Sequence, residues 1–117
     1  SIEFSCKVAG SKLVVVLGHA RCGAVMGACD NVELGNLTPM LAKIGPAIDA
    51  TDQPSDPAER NSQNAAFVDA VSRNNVRQSV EMIRSRSSIL SELEAAGEIL
   101  IQGAYYEVAT GWVEFLE

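Results

Sequence analysis

The dominant pattern in the chain is an apolar run, Lys12–Leu17, that stops abruptly at Gly18. A strand-length run without polar alternation predicts a parallel strand covered on both faces. Cys22–Asp30 follows, with glycines and alanines that suit a short helix lying close to the sheet. Upstream, SIEFSCKVA places Ile2, Cys6 and Ala9 on one stripe and Phe4 and Val8 on a neighbouring one. That spacing predicts a helix, with Ser1 able to cap it and Gly10 to stop it. A helix feeding a buried strand is half of a strand–helix–strand unit. The strand that should precede it is not among these residues, so a fragment with its N-terminal part missing is expected.

Downstream, Thr38 and Pro39 open a further helix that runs to about Ala50, with Gly45 and Pro46 placed to break or kink it. Asp49–Asn64 is polar, carries Pro54 and Pro57, and reads as a surface loop. From Ala65 to about Ser85 the pattern is that of a long amphipathic helix. Val68, Val71, Val76, Val80 and Ile83 recur at helical spacing, and Arg73, Arg77, Glu81 and Arg84 read as solvated. Ser87 or Ser88 can cap the next helix, Ile89–Ala96, which Gly97 ends. Glu98–Gly103 predicts a second core strand. Ala104–Glu117 begins as a turn and ends in WVEFLE, where Trp112, Phe115 and Leu116 suggest a strand tucked against an edge. Together these elements predict an α/β fold: a mostly parallel central sheet flanked by helices, in one domain over residues 1–117.

Composition narrows the function classes. The chain has 117 residues, of which 47% are hydrophobic, enough for a core. Its net charge is −6 and no basic patch stands out, which argues against a nucleic-acid partner. No apolar run approaches the ~18 residues of a membrane helix, so no direct membrane insertion is expected. No signal-peptide pattern opens the sequence. Three cysteines, Cys6, Cys22 and Cys29, are an odd count, which fits free thiols in a reduced, cytoplasmic setting.

The chemistry concentrates where the first strand ends. His19 and Cys22 flank a tight turn between strand and helix, at the sheet edge where α/β folds hold their ligands. His and Cys are donors that zinc prefers, and a catalytic zinc takes about three protein ligands and leaves one position open. A helix start adds positive potential that favours the thiolate. Three other readings stand beside a metal site. His19 can be a capping residue beside a small buried cysteine. Cys22 can be a nucleophile activated by His19. GHARCG can be a nucleotide turn, although it lacks the Lys-Ser/Thr of a phosphate loop and the G-x-G-x-x-G of a dinucleotide fold. Cys29 lies seven residues beyond Cys22, about 10 Å along a helix at ~1.5 Å per residue, too far to share one ion. Cys6 falls on a core stripe, and Asp30 and Glu33 read as a solvated helix end.

GSKLVVVLGHARCGAVMGA resembles the second zinc motif of the β-class carbonic anhydrases: a strand, then Gly-His-Ser/Thr-x-Cys-Gly-Gly/Ala, then a small-residue helix. SIEFSCKVAG is similar to the family's preceding helix. NVRQSVEMIRSRSSILSELEAAGEILIQGAYYEVATGWVEFL resembles its C-terminal stretch, closing on Tyr106, Glu107, Thr110, Gly111 and Val113. The resemblance covers nearly the whole chain outside Asp49–Asn64. Ala20 stands where the family usually has a hydroxyl, Ser88 where proline is common, and Glu107 where aspartate is usual.

The resemblance implies zinc (Zn2+) as cofactor, held by His19, Cys22 and a third ligand from the family's first motif, Cys-x-Asp-Ser-Arg. That motif occurs nowhere here, so the third ligand and the catalytic Asp–Arg pair are expected upstream, and no catalytic residue is visible in the chain itself. The implied reaction is the reversible hydration of carbon dioxide to bicarbonate and a proton, by hydroxide formed from a metal-bound water. A homodimer or higher homo-oligomer is implied as well. The alternatives are a truncated, weakly active or inactive binding module of a larger protein, and metal-free thiol chemistry at Cys22 and His19.

Overall fold

The computed structural model describes residues 1–117. The chain runs through α1 (Ile2–Lys7), β1 (Leu13–His19), α2 (Gly23–Cys29), α3 (Leu37–Ala42) and α4 (Gly45–Asp49). After a 3-10 turn at Pro57–Glu59 come α5 (Ala65–Arg86), α6 (Ser88–Ala95), β2 (Leu100–Glu107) and β3 (Trp112–Leu116). The sheet order is β1-β2-β3. β1 and β2 are parallel, with His19 beside Tyr106 at their shared carboxyl end, and β3 returns antiparallel along β2. The expected α/β architecture is therefore present, as a parallel pair with an antiparallel edge.

The long helix α5 organises the packing. Asn64 caps it by accepting from the Phe67 backbone N–H at 3.2 Å. Its first half buries Phe67, Val68 and Val71 against Val25, Leu41 and Ile44. Its second half places Val80 with Cys6, Leu90, Leu93, Ile99 and Ile101. Each such side chain removed from water contributes about 1.5–3 kcal/mol. Val76 lies between these two clusters and packs with Ala20, Tyr105 and Leu116. Ser87 ends α5 with an extended backbone and caps α6 through its hydroxyl, which accepts from the Leu90 N–H.

Val76 also explains two glycines. A Cβ on Gly18 would stand 2.6 Å from Val76 Cγ2, and one on Gly103 would stand 2.9 Å from Val76 Cγ1. The helix can approach the parallel pair this closely only because both positions lack a side chain. Gly103 accordingly does not end β2, as the sequence reading expects. The strand continues to Glu107, and Ala104 and Tyr105 are buried in the sheet rather than in a turn. The turn comes at Val108–Gly111, where Gly111 has φ +79°.

Four further expectations are corrected. β1 is not covered on both faces: Leu13, Val15 and Leu17 alternate with half-buried neighbours and remain 53%, 43% and 54% exposed. α5 packs on one side of the pair, and no helix in these residues lies on the other. The helix begun at Leu37 does not run on to Ala50; Gly45 and Pro46 start a second one. Trp112 and Phe115 are not tucked in but lie 75% and 66% exposed, and only Leu116 of β3 is buried. Arg73 and Arg84 are not simply solvated. Arg73 pairs with Asp69 and with Glu114 on β3. Arg84 donates through Nε and Nη2 to both oxygens of Glu94 at 2.8 and 3.0 Å, tying α5 to α6.

The Arg84 hydrogen bonds hold the Glu94 carboxyl below the usual carboxylate range. A lowered folded value adds stability above the unfolded value, about 4.3, and that stability is lost as pH falls through the folded value. Wild type is therefore expected to be more stable than Glu94→Gln near neutrality, with the gap closing at acid pH. Urea midpoints of the two proteins from pH 7 to pH 3 check this; a gap that widens on acidification contradicts it.

Candidate metal centre

The corner after β1 is fixed from its backbone. The Ala20 N–H donates to the Tyr106 carbonyl at 2.9 Å, extending the β1–β2 ladder by one step. Ala20 itself is buried against Val76, Tyr105 and Leu116. Arg21 then takes φ +55°, the left-handed region that a side-chain-bearing residue enters at a cost of about 1–2 kcal/mol. This reversal brings Cys22, in extended backbone, to the first position before α2. Strain of this kind collects where a side chain must be aimed.

His19 and Cys22 line one cavity of about 230 Å³, with Val16, Val25 and Val76 among its apolar walls and Ser72, Asn75 and Ser79 along its α5 side. His19 Nδ1 lies 2.9 Å from the Ala20 carbonyl oxygen. A carbonyl can only accept, so Nδ1 is the donor, and Nε2 is left as the nitrogen that a neutral imidazole would offer to a metal. Metal-ligating histidines are oriented in this way. Cys22 is a free thiol, half-buried, and packs against the cluster that contains Val68 and Val71. An imidazole whose Nε2 makes no hydrogen bond and a thiol on the same cavity fit part of a zinc ligand set. They do not complete it, because no group of three or more His, Cys, Asp or Glu side chains could hold a metal.

The other sequence candidates fall elsewhere. Cys29 is buried in the core, and burial first, then the Asp30 charge, pushes its thiol up. Cys6 is buried beneath α6, as its stripe predicts. Asp30 is exposed and accepts from the Ser62 hydroxyl and N–H, which hold its carboxyl below the ordinary range. Glu33 is exposed on the surface.

A profile of the carbonic anhydrase family matches residues 1–113. The chain belongs to that family. It is 30% identical over 116 residues to carbonic anhydrase 2 of Mycobacterium tuberculosis, which takes in 95% of this chain and 52% of that protein. With a carbonic anhydrase of Pseudomonas aeruginosa it shares 28% identity over 117 residues, all of this chain and 52% of the other. Among solved structures, the β-carbonic anhydrase CafA of Aspergillus fumigatus superposes with a TM-score of 0.81 at 25% identity, covering 99% of this chain and 53% of that one. A tetrameric β-carbonic anhydrase of Sordaria macrospora gives 0.77 at 19% identity, covering 98% and 57%. The chain thus spans about half the length of the relatives it matches.

Within this carbonic anhydrase fold a second cluster lies near the corner that sequence reasoning missed. A cavity of about 620 Å³ is lined by Arg21, Asp69, Arg73, Tyr105 and Glu107 among others. The Arg73 guanidinium sits 4.3 Å from the Tyr105 ring centroid. Burial first, then the hydrogen bond to Asp69, pushes the Tyr105 hydroxyl far above the usual tyrosine range. Only the Asp69–Arg73 spacing of four residues was readable along the chain. Tyr105 and Glu114 arrive from β2 and β3 by folding alone.

The left-handed turn gives a prediction of its own. Arg21→Gly removes the steric cost but adds backbone entropy of about 0.5–1 kcal/mol, so stability should stay within about 1 kcal/mol of wild type. Arg21→Val, β-branched at positive φ, should cost more. Thermal melts of both variants test this, and a melt in which Val outperforms Gly contradicts it.

Proposed function

We propose that this chain is the central and C-terminal part of a zinc-dependent carbonic anhydrase that interconverts carbon dioxide and bicarbonate. His19 through Nε2 and Cys22 through Sγ would supply two zinc ligands, and a third would come from outside these residues. The observation that supports this reading is the Nδ1–H to Ala20 carbonyl hydrogen bond, which leaves the imidazole's other nitrogen as the one available to a ligand in the cavity it shares with Cys22. Family membership supports the same chemistry.

Zinc, when bound, supplies the Lewis acidity that makes hydroxide available from water near neutral pH. The chain's own residues do the rest of what is visible. The Ala20 carbonyl orients His19. The strained Arg21 turn aims Cys22. Val16, Val25 and Val76 give the corner apolar walls, which strengthen electrostatic interactions at it. No residue of the chain is placed as the proton-transfer or access-control pair.

The complete natural polypeptide that contains this chain should hold about one zinc per chain by elemental analysis. It should also hydrate carbon dioxide in a stopped-flow pH-indicator assay. Zinc-loaded protein without hydration would overturn the reading. A second reading, an inactive carbonic-anhydrase-like module, is favoured by the lack of a third ligand side chain. Hydration by the complete polypeptide removes it.

Self-association as a dimer or larger assembly is part of the proposal. It is supported by the exposed apolar row Leu13, Val15 and Leu17, a kind of surface that ordinarily lies at interfaces. Residues 1–117 as one domain and a cytoplasmic setting complete it, the latter supported by three free cysteines. No helix is long and apolar enough to cross a membrane.

A further inference from the structure

One buried side-chain polar atom in the chain has no hydrogen-bond partner, and it lies beside the metal corner. Ser72 is 4% exposed, on the face of α5 that packs toward β1, and its Oγ is unpaired. A buried serine within a helix usually satisfies itself on the carbonyl four residues back. This one does not. Leaving such a donor unmade costs about 1–3 kcal/mol, so its persistence asks for a partner.

The surroundings narrow what that partner is. Ser72 lines the same cavity as His19 and Cys22, beside Asn75 and Ser79 on α5 and the apolar Val16, Leu17, Val25 and Val76, and neither Asn75 nor Ser79 is bonded to it. His19 Nδ1 is occupied by Ala20 O, and Nε2 is the atom that the zinc reading assigns to the metal. Cys22 lines the same cavity as Ser72 and packs against the core cluster to which α5 contributes Phe67, Val68 and Val71. A metal-bound thiolate is a charged acceptor in a partly apolar pocket, and such acceptors form the stronger hydrogen bonds.

Resting on the zinc reading above, we infer that Ser72 is a positioning residue for Cys22: its hydroxyl turns to donate to the Cys22 thiolate when a divalent metal binds. Donors of this kind tune metal affinity by about 10–100-fold. The orphan hydroxyl is then a donor that lacks a partner in the metal-free protein and gains one on loading.

The test uses the complete natural polypeptide, loaded with zinc for affinity and with cobalt(II) for spectroscopy. Ser72→Ala should weaken zinc binding by about 10-fold in chelator competition. It should also move the cobalt–thiolate charge-transfer band to lower energy, because a sulfur relieved of its hydrogen bond is easier to oxidise. The metal-free variant should be at least as stable as wild type, since an unmet polar group is gone. Ser72→Thr, whose methyl the cavity can hold, should restore both band and affinity. A band present in wild type and unmoved in Ser72→Ala would overturn the assignment and leave the zinc reading standing. Wild type without any cobalt–thiolate band would overturn both.

Discussion

Gly18→Ala should lower the stability of this chain by at least about 1–3 kcal/mol, the usual cost of forcing an extra methyl into a filled core. The added carbon would stand 2.6 Å from Val76 Cγ2, a distance that demands movement. Little can move. Valine has one stiff rotatable bond, and the other methyl of Val76 is already held against Gly103. Val76→Ala should leave a small cavity and destabilise by itself, yet it should accommodate the methyl at position 18. The double variant is therefore expected to be more stable than the sum of the single effects by about 1–3 kcal/mol, the coupling seen between touching residues. Urea denaturation of the four proteins in the cycle measures it. Additive effects would show that α5 and β1 do not meet as described. Because His19 is the next residue, Gly18→Ala should also displace the corner.

Cys22→Ser should have the larger effect on chemistry. On the proposed zinc reading, removing the thiol takes away a direct donor, so zinc affinity should fall by more than the roughly 100-fold that bounds the loss of an outer partner. Hydration of carbon dioxide by the complete polypeptide should fall with it. Cys29→Ser is the informative companion. Cys29 is buried among Val25, Leu41 and Phe67, so a hydroxyl there should cost stability through an unmet polar group. Zinc content should remain. Chelator competition and elemental analysis on both variants separate the two roles. Retention of zinc by Cys22→Ser, or its loss from Cys29→Ser at a temperature where the protein is folded, would contradict the assignment.

Much of this was legible along the chain because local pattern and global fold agree there. The run ending at Gly18, the stripe from Val68 to Ile83 and the Ser87 cap each have one physical solution, and each formed. The His19–Cys22 corner was legible for the same reason: strand, tight turn and small-residue helix follow within a few residues. What was not legible depends on neighbours. An apolar run does not tell whether a strand is covered on one face or two, so Leu13, Val15 and Leu17 were expected to be buried. Gly103 looked like a stop because a glycine's role as a groove for Val76 is a property of another helix. Arg73 and Arg84 followed the solvent stripe of α5, and only folding brought Glu114 and Glu94 to them. Ser72 carried no signal at all, since an unpaired hydroxyl is defined by everything around it.

His19 occupies the last place in the row that begins with Leu13, since alternate residues of a strand share a side. Whatever polypeptide comes to rest on those three oily side chains will also shield the imidazole from bulk water. On the proposed reading, assembly through this row would be coupled to reactivity: the step that completes the hydrophobic interior would also set the dielectric in which the ion is gripped. An inhibitor that prised such a cover away would silence the corner without touching either ligand.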